Sequence, residues 1–342
     1  MSQSTRTTER LAATCDDIAR AAEILRRGGT VAFPTETVYG LGANALDSDA
    51  VSRIFTATER PNWDPIIVHL SDRAMLDQVA SVPPEAERLI AAFWPGPLTL
   101  LLPRTPLIPD NVTAGRLLVG VRMPAHPVAL ALIEAAGLPL AAPSANRFGR
   151  ISPTTAEHVL EDLDQRIDAV LDGGPTMVGV ESTVLGLSSD PTRYPILYRP
   201  GAITAAMLEP VIGPVTRYQP PQSAAEPQSL PSPGIGIRHY APRAGLVLVQ
   251  TESELNDRLT PLMASREKIG VMLPQNWTVH HRHVEIYPWN SFDDNAGLAH
   301  TLFSGLRELD SRNVAIILCP LPRNNGLGTA IRDRLEKAAK SK

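Results

Sequence analysis

Apolar residues recur at helical spacing in some parts of the chain and form short uninterrupted runs in others. From 16 to 27 the spacing predicts a helix, and Gly28-Gly29 supplies the left-handed ending that such helices favour. The same criteria predict further helices at 85–93, 127–136 and 154–163, and strands at 30–33, 66–68, 98–102, 117–121 and 138–142. Helices that alternate irregularly with short strands indicate an α/β domain with a twisted sheet.

A proline-rich segment divides the sequence. Seven prolines and a Gln/Ser/Ala-rich stretch lie between 211 and 242, and prolines lack the backbone donors that a helix or a central strand needs. We therefore predict a first domain over 1–210, an extended linker over 211–242 and a second domain over 243–342. In the second domain, strands are predicted at 246–249, 268–272 and 314–318, and helices at 252–264, 295–310 and 327–340. This order is typical of a small Rossmann-like α/β domain.

Charge and cysteine content narrow the function classes. The 342 residues carry 32 basic and 36 acidic side chains, and the formal charge of −4 argues against direct nucleic-acid binding. Cys15 and Cys319 lie far apart without a C-x-x-C partner, so neither a zinc site nor a disulfide framework is indicated. A polar N-terminus and the lack of any apolar run of about 18 residues predict a cytoplasmic protein without membrane contact.

The stretch FPTETVYGLGANA contains a match to the dinucleotide fingerprint G-x-G-x-x-A, beginning at Gly40-Leu41-Gly42. In a dinucleotide site the first glycine follows the strand immediately, whereas here Pro34 and the five residues TETVY intervene. The next helix is predicted to begin at Asp47 or Ser48, which are good N-caps. We interpret the match as accidental. The Thr-Glu-Thr sequence beyond the strand end either directs side-chain oxygens toward a ligand or forms a capped turn.

Other stretches place polar and basic side chains in loops at strand ends. The stretches are ATERPNWDPIIVHL, APSANRFGRISPT, GVESTVLGL and LYRPGAI, and their candidate residues are Arg60, His69, Ser144, Asn146, Ser152, Ser182, Thr183 and Arg199. Each residue type also has a structural interpretation. Arg60 or Arg122 alone is explained by solvation or structural pairing, His69 by hydrogen bonding in a core, and the serines by capping of helices and turns. Their occurrence together favours a ligand site.

Together these stretches resemble the threonylcarbamoyl-AMP synthase family in its two-domain form. The resemblance covers nearly the whole chain through GGTVAFPTETVYGLGANAL, DPIIVHL, FWPGPLTLLL, VRMPAHP, APSAN, ISPT, ESTV, RPGAI, SPGIGIRHYAP and GLGTAIRDRLEKAA. It implies a YrdC-like twisted mixed sheet with flanking helices, followed by a Rossmann-like domain. It also implies a nucleotidyltransferase that converts L-threonine, bicarbonate and ATP to threonylcarbamoyl-AMP and pyrophosphate. The product would go to a tRNA-modifying transferase complex, for the threonylcarbamoyl modification of adenosine in tRNA.

The resemblance implies roles for individual residues, none of them a catalytic nucleophile. Around L-threonine it places Thr37, His69, Arg122, the backbone near Ala142, and Ser182. Around ATP it places Arg60, Asp64, Leu118, Ser144, Asn146, Ser152, Arg199 and Tyr240. Arginine forks suit carboxylates and phosphates, whereas short hydroxyls suit a small polar amino acid. Mg²⁺ is expected on the ATP phosphates with few protein ligands, and no residue is assigned to it.

The linker segment SPGIGIRHYAP has two interpretations. In the family this segment folds over the active site as a lid, which implies that Arg238, His239 and Tyr240 help to enclose ATP. Such a lid would exclude water from a hydrolysable intermediate. The alternative is a tether stiffened by proline.

Several positions on the nucleotide side depart from the family pattern. Thr58 stands where lysine is usual, Asp64 where asparagine is usual, Leu118 where threonine is common, and Gly236 with Ile237 replaces a Lys-Tyr pair. Either cations such as Arg147, Arg150 or Arg238 substitute, or the chain is a divergent paralogue with an altered nucleotide, amino-acid or carbamoyl substrate. The intact PTETVYGL, APSAN and ESTV motifs favour the first explanation. A third hypothesis is a non-enzymatic binder of double-stranded RNA, which the acidic net charge argues against.

Overall fold

The computed structural model of the chain describes residues 7–187, 193–219, 229–235, 240–264, 267–281 and 283–340. The chain divides into two units: the first comprises Met1–Phe148, Pro153–Met177 and Glu181–Ile235, and the second Gly149–Ser152, Val178–Val180 and Gly236–Lys342. The predicted lid positions Gly236, Ile237, Arg238 and His239 lie outside the described residues.

The first unit is built on a mixed β-sheet with helices. Its strands are β1 (Glu9–Ala12), β2 (Val31–Phe33), β3 (Gly40–Asn44), β4 (Ile67–His69), β5 (Leu98–Pro103), β6 (Leu118–Arg122), β7 (Leu140–Ala141), β8 (Ala169–Asp172), β9 (Thr183–Gly186), β10 (Ile196–Arg199) and β11 (Thr216–Arg217). Its helices are α1 (Cys15–Arg26), α2 (Ser48–Thr58), α3 (Arg73–Val79), α4 (Pro84–Phe93), α5 (Asp110–Thr113), α6 (Pro127–Ala136), α7 (Ala156–Leu163) and α8 (Ala205–Ile212). The strand order is β1-β8-β2-β3-β7-β4-β6-β5-β9-β10-β11. Parallel and antiparallel pairs both occur, which confirms the predicted mixed sheet.

Local sequence explains where the first two helices begin and end. The Thr14 hydroxyl caps α1 by accepting a hydrogen bond from the Asp17 N–H at 3.2 Å. The chain leaves α1 through Gly28, whose φ of 76° is the left-handed ending that the sequence predicts. Asp47 caps α2 by accepting hydrogen bonds from two N–H groups of its first turn, so α2 begins at Ser48, as predicted.

The two glycines of the apparent dinucleotide fingerprint lie inside a strand. Gly40 and Gly42 belong to β3, which pairs antiparallel with β2, whereas a fingerprint needs a turn between a strand and a helix. A Cβ atom on Gly42 would lie 2.8 Å from Cε1 of Phe33, and one on Gly40 would lie 3.3 Å from Cβ of Ala142. These glycines therefore allow close packing in the sheet, and the match is accidental, as predicted.

The strand order brings several predicted site residues side by side. Strands β7, β4, β6, β5, β9 and β10 are successive neighbours. His69 of β4 is in register with Arg122 of β6, and Thr99 of β5 is in register with Val184 of β9. Residues that are distant in sequence thereby meet on adjacent strands.

The second unit has a parallel sheet. Its strands are β12 (Gly245–Val249), β13 (Ile269–Pro274), β14 (Glu285–Trp289) and β15 (Ile316–Pro320), and its helices are α9 (Glu252–Leu262), α10 (Asn295–Ser311) and α11 (Gly326–Ala338). The strands run parallel in the order β12-β15-β13-β14, which confirms the predicted α/β class. The sequence did not predict β14, which contains Pro288 and lies at the sheet edge, where proline is tolerated.

Each unit has its own apolar core. Val31, Phe33 and Leu41 belong to the core of the first unit, and Val271 and Leu318 to that of the second. Within the described ranges, no helix combines the length and the apolar character needed to cross a membrane.

Candidate active site

Arg122, the last residue of β6, is the centre of one buried polar cluster. Its side chain is 3% exposed, and its Nε donates a hydrogen bond to the Gly96 carbonyl at 3.2 Å. Nη1 donates to the Thr37 hydroxyl at 3.0 Å, and Nη2 lies 2.5 Å from Oε1 of Glu36. The guanidinium is thus held between a backbone carbonyl, a hydroxyl and a carboxylate.

The Thr-Glu-Thr turn between β2 and β3 supplies two of these partners. The Thr35 and Thr37 hydroxyls lie 2.8 Å apart, and Thr35 Oγ1 also bonds with the Val38 backbone. The turn is therefore internally capped, and it also directs Thr37 and Glu36 toward Arg122. The capped turn is confirmed, and contact of these side chains with a ligand stays a prediction.

His69 lies beside Arg122 in a dry environment. Its ring meets the Phe33 ring edge to face, with centroids 6.0 Å apart. Burial, together with the positive charge of Arg122, lowers the pKa of His69 to about 3, so the imidazole is neutral at physiological pH. Its Nδ1 atom is buried and has no hydrogen-bond partner among the described residues. A neutral ring with an unused nitrogen can accept or donate a hydrogen bond to a small polar ligand.

Ser182 and Arg199 form a second buried arrangement two strands away. The Ser182 hydroxyl lies 2.8 Å from the Thr99 hydroxyl of β5 and accepts a hydrogen bond from Arg199 Nη2 at 3.1 Å. Arg199 Nε donates to the Ser182 carbonyl at 2.9 Å. Ser182, predicted for threonine, and Arg199, predicted for ATP, are therefore in direct contact.

Arg60 and Asp64 form a third buried group, in the loop after α2. Arg60 Nη2 lies 3.0 Å from Asp64 Oδ2, and the two side chains are 6% and 1% exposed. The guanidinium also donates to the carbonyls of Asp64 and Pro65 and lies over the Phe148 ring, 6.0 Å from its centroid. Burial raises the pKa of Asp64, while the charges of Arg60 and Arg199 act in the opposite direction. Asp64 thus links Arg60 electrostatically to Arg199.

The loop after β7 carries three further predicted residues. The Ala142 N–H donates to the Ile67 carbonyl at 2.8 Å, which ties this loop to the start of β4. Ser144 forms an isolated bridge with Gly40, and the buried Asn146 donates to the Arg147 carbonyl. The loop therefore lies beside the turn that carries Thr37.

Of the other residues predicted for ATP, Leu118 lies at the opposite end of β6 from Arg122, and two belong to the second unit. Leu118 begins β6, four residues before Arg122, and a strand rises about 3.3 Å per residue, so the two are roughly 13 Å apart along it. Its side chain is 39% exposed. Ser152 and Tyr240 belong to the second unit, where the Tyr240 ring stacks on Phe303 with centroids 5.8 Å apart.

Thr58, which stands in place of the usual lysine, and Arg147 have definite hydrogen-bond partners. The buried Thr58 hydroxyl donates to the Ile54 carbonyl at 2.7 Å within α2. Arg147, a proposed substitute cation, makes a two-nitrogen contact with Glu59 on the surface. Arg150 belongs to the second unit, and Arg238 lies outside the described residues.

Sequence reasoning did not assign a role to Glu36 or Thr99. Glu36 was visible as a charged residue just beyond a buried strand, yet its pairing with Arg122 depends on a contact across 86 positions. Thr99 lies in an otherwise apolar strand, and its hydroxyl is the one polar side-chain group in that segment of the sequence. The structure adds both to the clusters described above.

Comparison with known proteins identifies relatives of both units. Residues 23–201 match the Sua5, YciO and YrdC family, whose model is described as "Telomere recombination". Residues 203–340 match the Sua5 C-terminal family, described as "Threonylcarbamoyl-AMP synthase, C-terminal domain".

Individual relatives cover almost the whole chain. The threonylcarbamoyl-AMP synthase of Pyrococcus abyssi is 42% identical over 325 residues, which is 93% of each chain. That of Bacillus subtilis is 42% identical over 345 residues, covering 97% of this chain and 95% of the relative. The crystal structure of P. abyssi Sua5 complexed with L-threonine superimposes with a TM-score of 0.89 at 40% identity, covering 97% of both chains.

Proposed function

This chain belongs to the threonylcarbamoyl-AMP synthase family, and we propose that its buried clusters bind L-threonine and ATP for the synthesis of threonylcarbamoyl-AMP. The chain is accordingly an enzyme of the nucleotidyltransferase type. The observation that carries the assignment of the site is a set of three buried arginines: Arg122 at the end of β6, Arg199 at the end of β10 and Arg60 in the loop after α2. Arg122 is the centre of one cluster. Arg199 and Arg60 form the other cluster, in which Ser182 is hydrogen-bonded to Arg199.

The Arg122 cluster suits threonine. A guanidinium binds a carboxylate through charge-assisted hydrogen bonds, and Thr37 and the neutral His69 offer uncharged partners for the hydroxyl and amino groups. The cluster is buried, which favours a small amino acid. The proposed threonine residues are Thr37, His69, Arg122, the backbone near Ala142, and Ser182.

The Arg60 and Arg199 cluster suits a nucleotide triphosphate. Two guanidinium groups that share Asp64 can bind phosphate oxygens bidentately. We keep Arg60, Asp64, Leu118, Ser144, Asn146, Ser152, Arg199 and Tyr240 as the proposed ATP residues. Since Arg199 contacts Ser182, the α-phosphate would lie next to the threonine end of the site.

The reaction proposed here needs positioning more than a side-chain nucleophile. The amine of threonine and bicarbonate form a carbamate, whose oxygen attacks the α-phosphorus of ATP and displaces pyrophosphate. Buried guanidinium groups stabilise the charge that develops on the phosphate oxygens. Holding both reactants side by side reduces the entropic cost of their encounter.

Mg²⁺ would enter with ATP as part of the substrate. Magnesium prefers oxygen ligands and keeps several waters, so phosphate oxygens with one carboxylate suffice. Asp64 offers a buried Oδ1 atom that accepts no hydrogen bond from the described residues, which fits such a minor ligand. The described ranges contain no group of three or more His, Cys, Asp or Glu residues arranged for a metal ion.

The product of this reaction would leave the enzyme for a tRNA-modifying transferase. Threonylcarbamoyl-AMP is a reactive mixed anhydride, so a tRNA-modifying transferase would receive it directly or after a short diffusion. A cytoplasmic location suits this acceptor and the free thiols of Cys15 and Cys319.

Pyrophosphate release provides the test. We expect release from ATP only when threonine and bicarbonate are both present, and threonylcarbamoyl-AMP should be detected by mass spectrometry. Release with another amino acid or with carbamoyl phosphate would instead identify a divergent transferase. No release under any of these conditions would refute the proposed function.

A further inference from the structure

Glu36 is an unusual buried carboxylate. It is 6% exposed, and neither of its carboxylate oxygens accepts an aligned hydrogen bond from the described residues. Its one close charged neighbour there is Arg122, whose Nη2 lies 2.5 Å from Oε1 and likewise lacks an aligned hydrogen-bond acceptor. Buried polar atoms are normally satisfied, so a pair with this much unused capacity suits a ligand that supplies the missing partners.

The pair is complementary to the zwitterion of an amino acid. A guanidinium matches an α-carboxylate, a carboxylate matches an α-ammonium, and in an amino acid these two charges are separated by one carbon atom. We propose that Glu36 is a catalytic residue, an inference that rests on the proposed function. Glu36 binds the α-ammonium group of threonine and accepts a proton from it before the amine attacks the carbon atom of CO2. Arg122 then pairs with the threonine carboxylate in place of Glu36.

The neighbouring histidines are poorly suited to accept this proton. His69 has a pKa of about 3 because of burial and the charge of Arg122. A proton transferred to His69 would therefore not be retained near pH 7. His126, at the start of α6, also has a pKa below its usual value because of burial, although Glu36 opposes this shift. Glu36 is the carboxylate of this cluster, with Oε1 2.5 Å from Nη2 of Arg122.

The proton step balances with the reactants of the synthase. An ammonium N–H bond breaks, and its proton goes to Glu36 and then to bicarbonate, which loses water and becomes CO2. The nitrogen lone pair forms the N–C bond while a C=O electron pair moves to oxygen. The adduct gives its second proton to Glu36, which leaves the carbamate, and Glu36 releases that proton to solvent.

A pH profile tests the proton transfer. For Glu36→Gln we expect pyrophosphate release at pH 7 to fall about 100- to 10,000-fold, and the defect to shrink roughly tenfold per pH unit as the substrate amine deprotonates in solution. Both histidines have pKa values below their usual value and remain neutral over this range, so the amine dominates the change. Glu36→Asp keeps a carboxylate and should keep the wild-type shape of the profile at a lower rate, even if Glu36→Gln does not fold.

A binding measurement tests recognition without turnover. By calorimetry, the wild-type chain should prefer L-threonine over 3-hydroxybutanoate, which lacks the ammonium group, and Glu36→Gln should reduce this preference about 10- to 100-fold. Glu87→Gln, at a 44% exposed glutamate paired with Arg73, is the matched control and should change neither readout.

The outcomes separate the two proposals. An unchanged ligand preference in Glu36→Gln, or a Glu36→Asp profile that rises as the amine deprotonates, would overturn the role of Glu36. If the wild-type chain releases no pyrophosphate, the proposed function fails, while the calorimetric preference still decides whether Glu36 binds the ammonium group.

Discussion

Replacing Asp64 with asparagine removes a negative charge from the proposed nucleotide cluster at nearly constant shape. Asp64 lies 3.0 Å from Arg60 and within electrostatic reach of Arg199. In the wild-type chain it neutralises part of the positive charge that would attract phosphate. We therefore expect Asp64→Asn to bind ATP more tightly in the absence of Mg²⁺.

The geometry gives the size of the effect. A phosphate oxygen bonded to Arg60 at roughly 2.8 Å, on the far side from Asp64 Oδ2 at 3.0 Å, would lie roughly 6 Å from the carboxylate. At an effective dielectric constant of about 20, two unit charges at that distance repel by about 3 kcal/mol. Relaxation and counterions reduce this value, so we expect a decrease in the dissociation constant of about 10- to 100-fold.

The same substitution should not destabilise the fold at neutral pH. Burial raises the pKa of Asp64 in the folded state. The stability that this group contributes is therefore fully present below its unfolded-state pKa of about 3.9. That contribution is lost as pH rises through the folded-state pKa. Burial disfavours the charged form of Asp64, a cost that asparagine does not bear. Arg60 keeps its two carbonyl acceptors. The Tm of Asp64→Asn at pH 7 should equal or exceed that of the wild type.

Calorimetric titration with ATP, with and without Mg²⁺, measures the effect. Asp77→Asn, at an exposed aspartate paired with Arg73, serves as the control and should leave ATP binding unchanged. Weaker binding of ATP to Asp64→Asn without Mg²⁺ would refute the repulsion argument. Weaker binding confined to Mg²⁺-ATP would support the proposed role of Asp64 as a ligand of the metal.

Three further predictions address other parts of the first unit. Thr58→Lys supplies the missing cation but removes the buried hydrogen bond to Ile54. We therefore expect a lower Tm together with about tenfold tighter ATP binding by calorimetry. Unchanged ATP binding and an unchanged reaction rate would refute the hypothesis that a missing cation limits the reaction. The depressed pKa of His69 predicts a neutral ring by NMR at pH 5 and a stability contribution that is present above about pH 6.5 and lost as pH falls toward 3; a titration midpoint near 6.5 would contradict this. Gly42→Ala places a Cβ atom 2.8 Å from Cε1 of Phe33 and should cost about 1–3 kcal/mol in urea unfolding; an unchanged midpoint would show that the sheet adapts.

Much of the fold could be predicted because its signals are local. The helical spacing before Gly28, the Asp47 cap and the apolar strands depend on neighbouring residues, and the structure contains these elements. The strand β14 was missed because Pro288 interrupts its pattern, and only its edge position in the sheet makes the proline acceptable. The G-x-G match was rejected on the distance between the preceding strand and the first glycine, which is also local information.

By itself, the sequence determined the α/β class, the main elements and the family, because spacing, caps and long motifs are properties of the chain alone. Which side chains share a cluster was decided only by the tertiary structure, because the strand order places β4, β6, β5, β9 and β10 side by side. This order pairs Arg122 with Glu36 and Arg199 with Ser182, and it excludes water around His69. The charge on each group depends on that burial, and no local pattern specifies it.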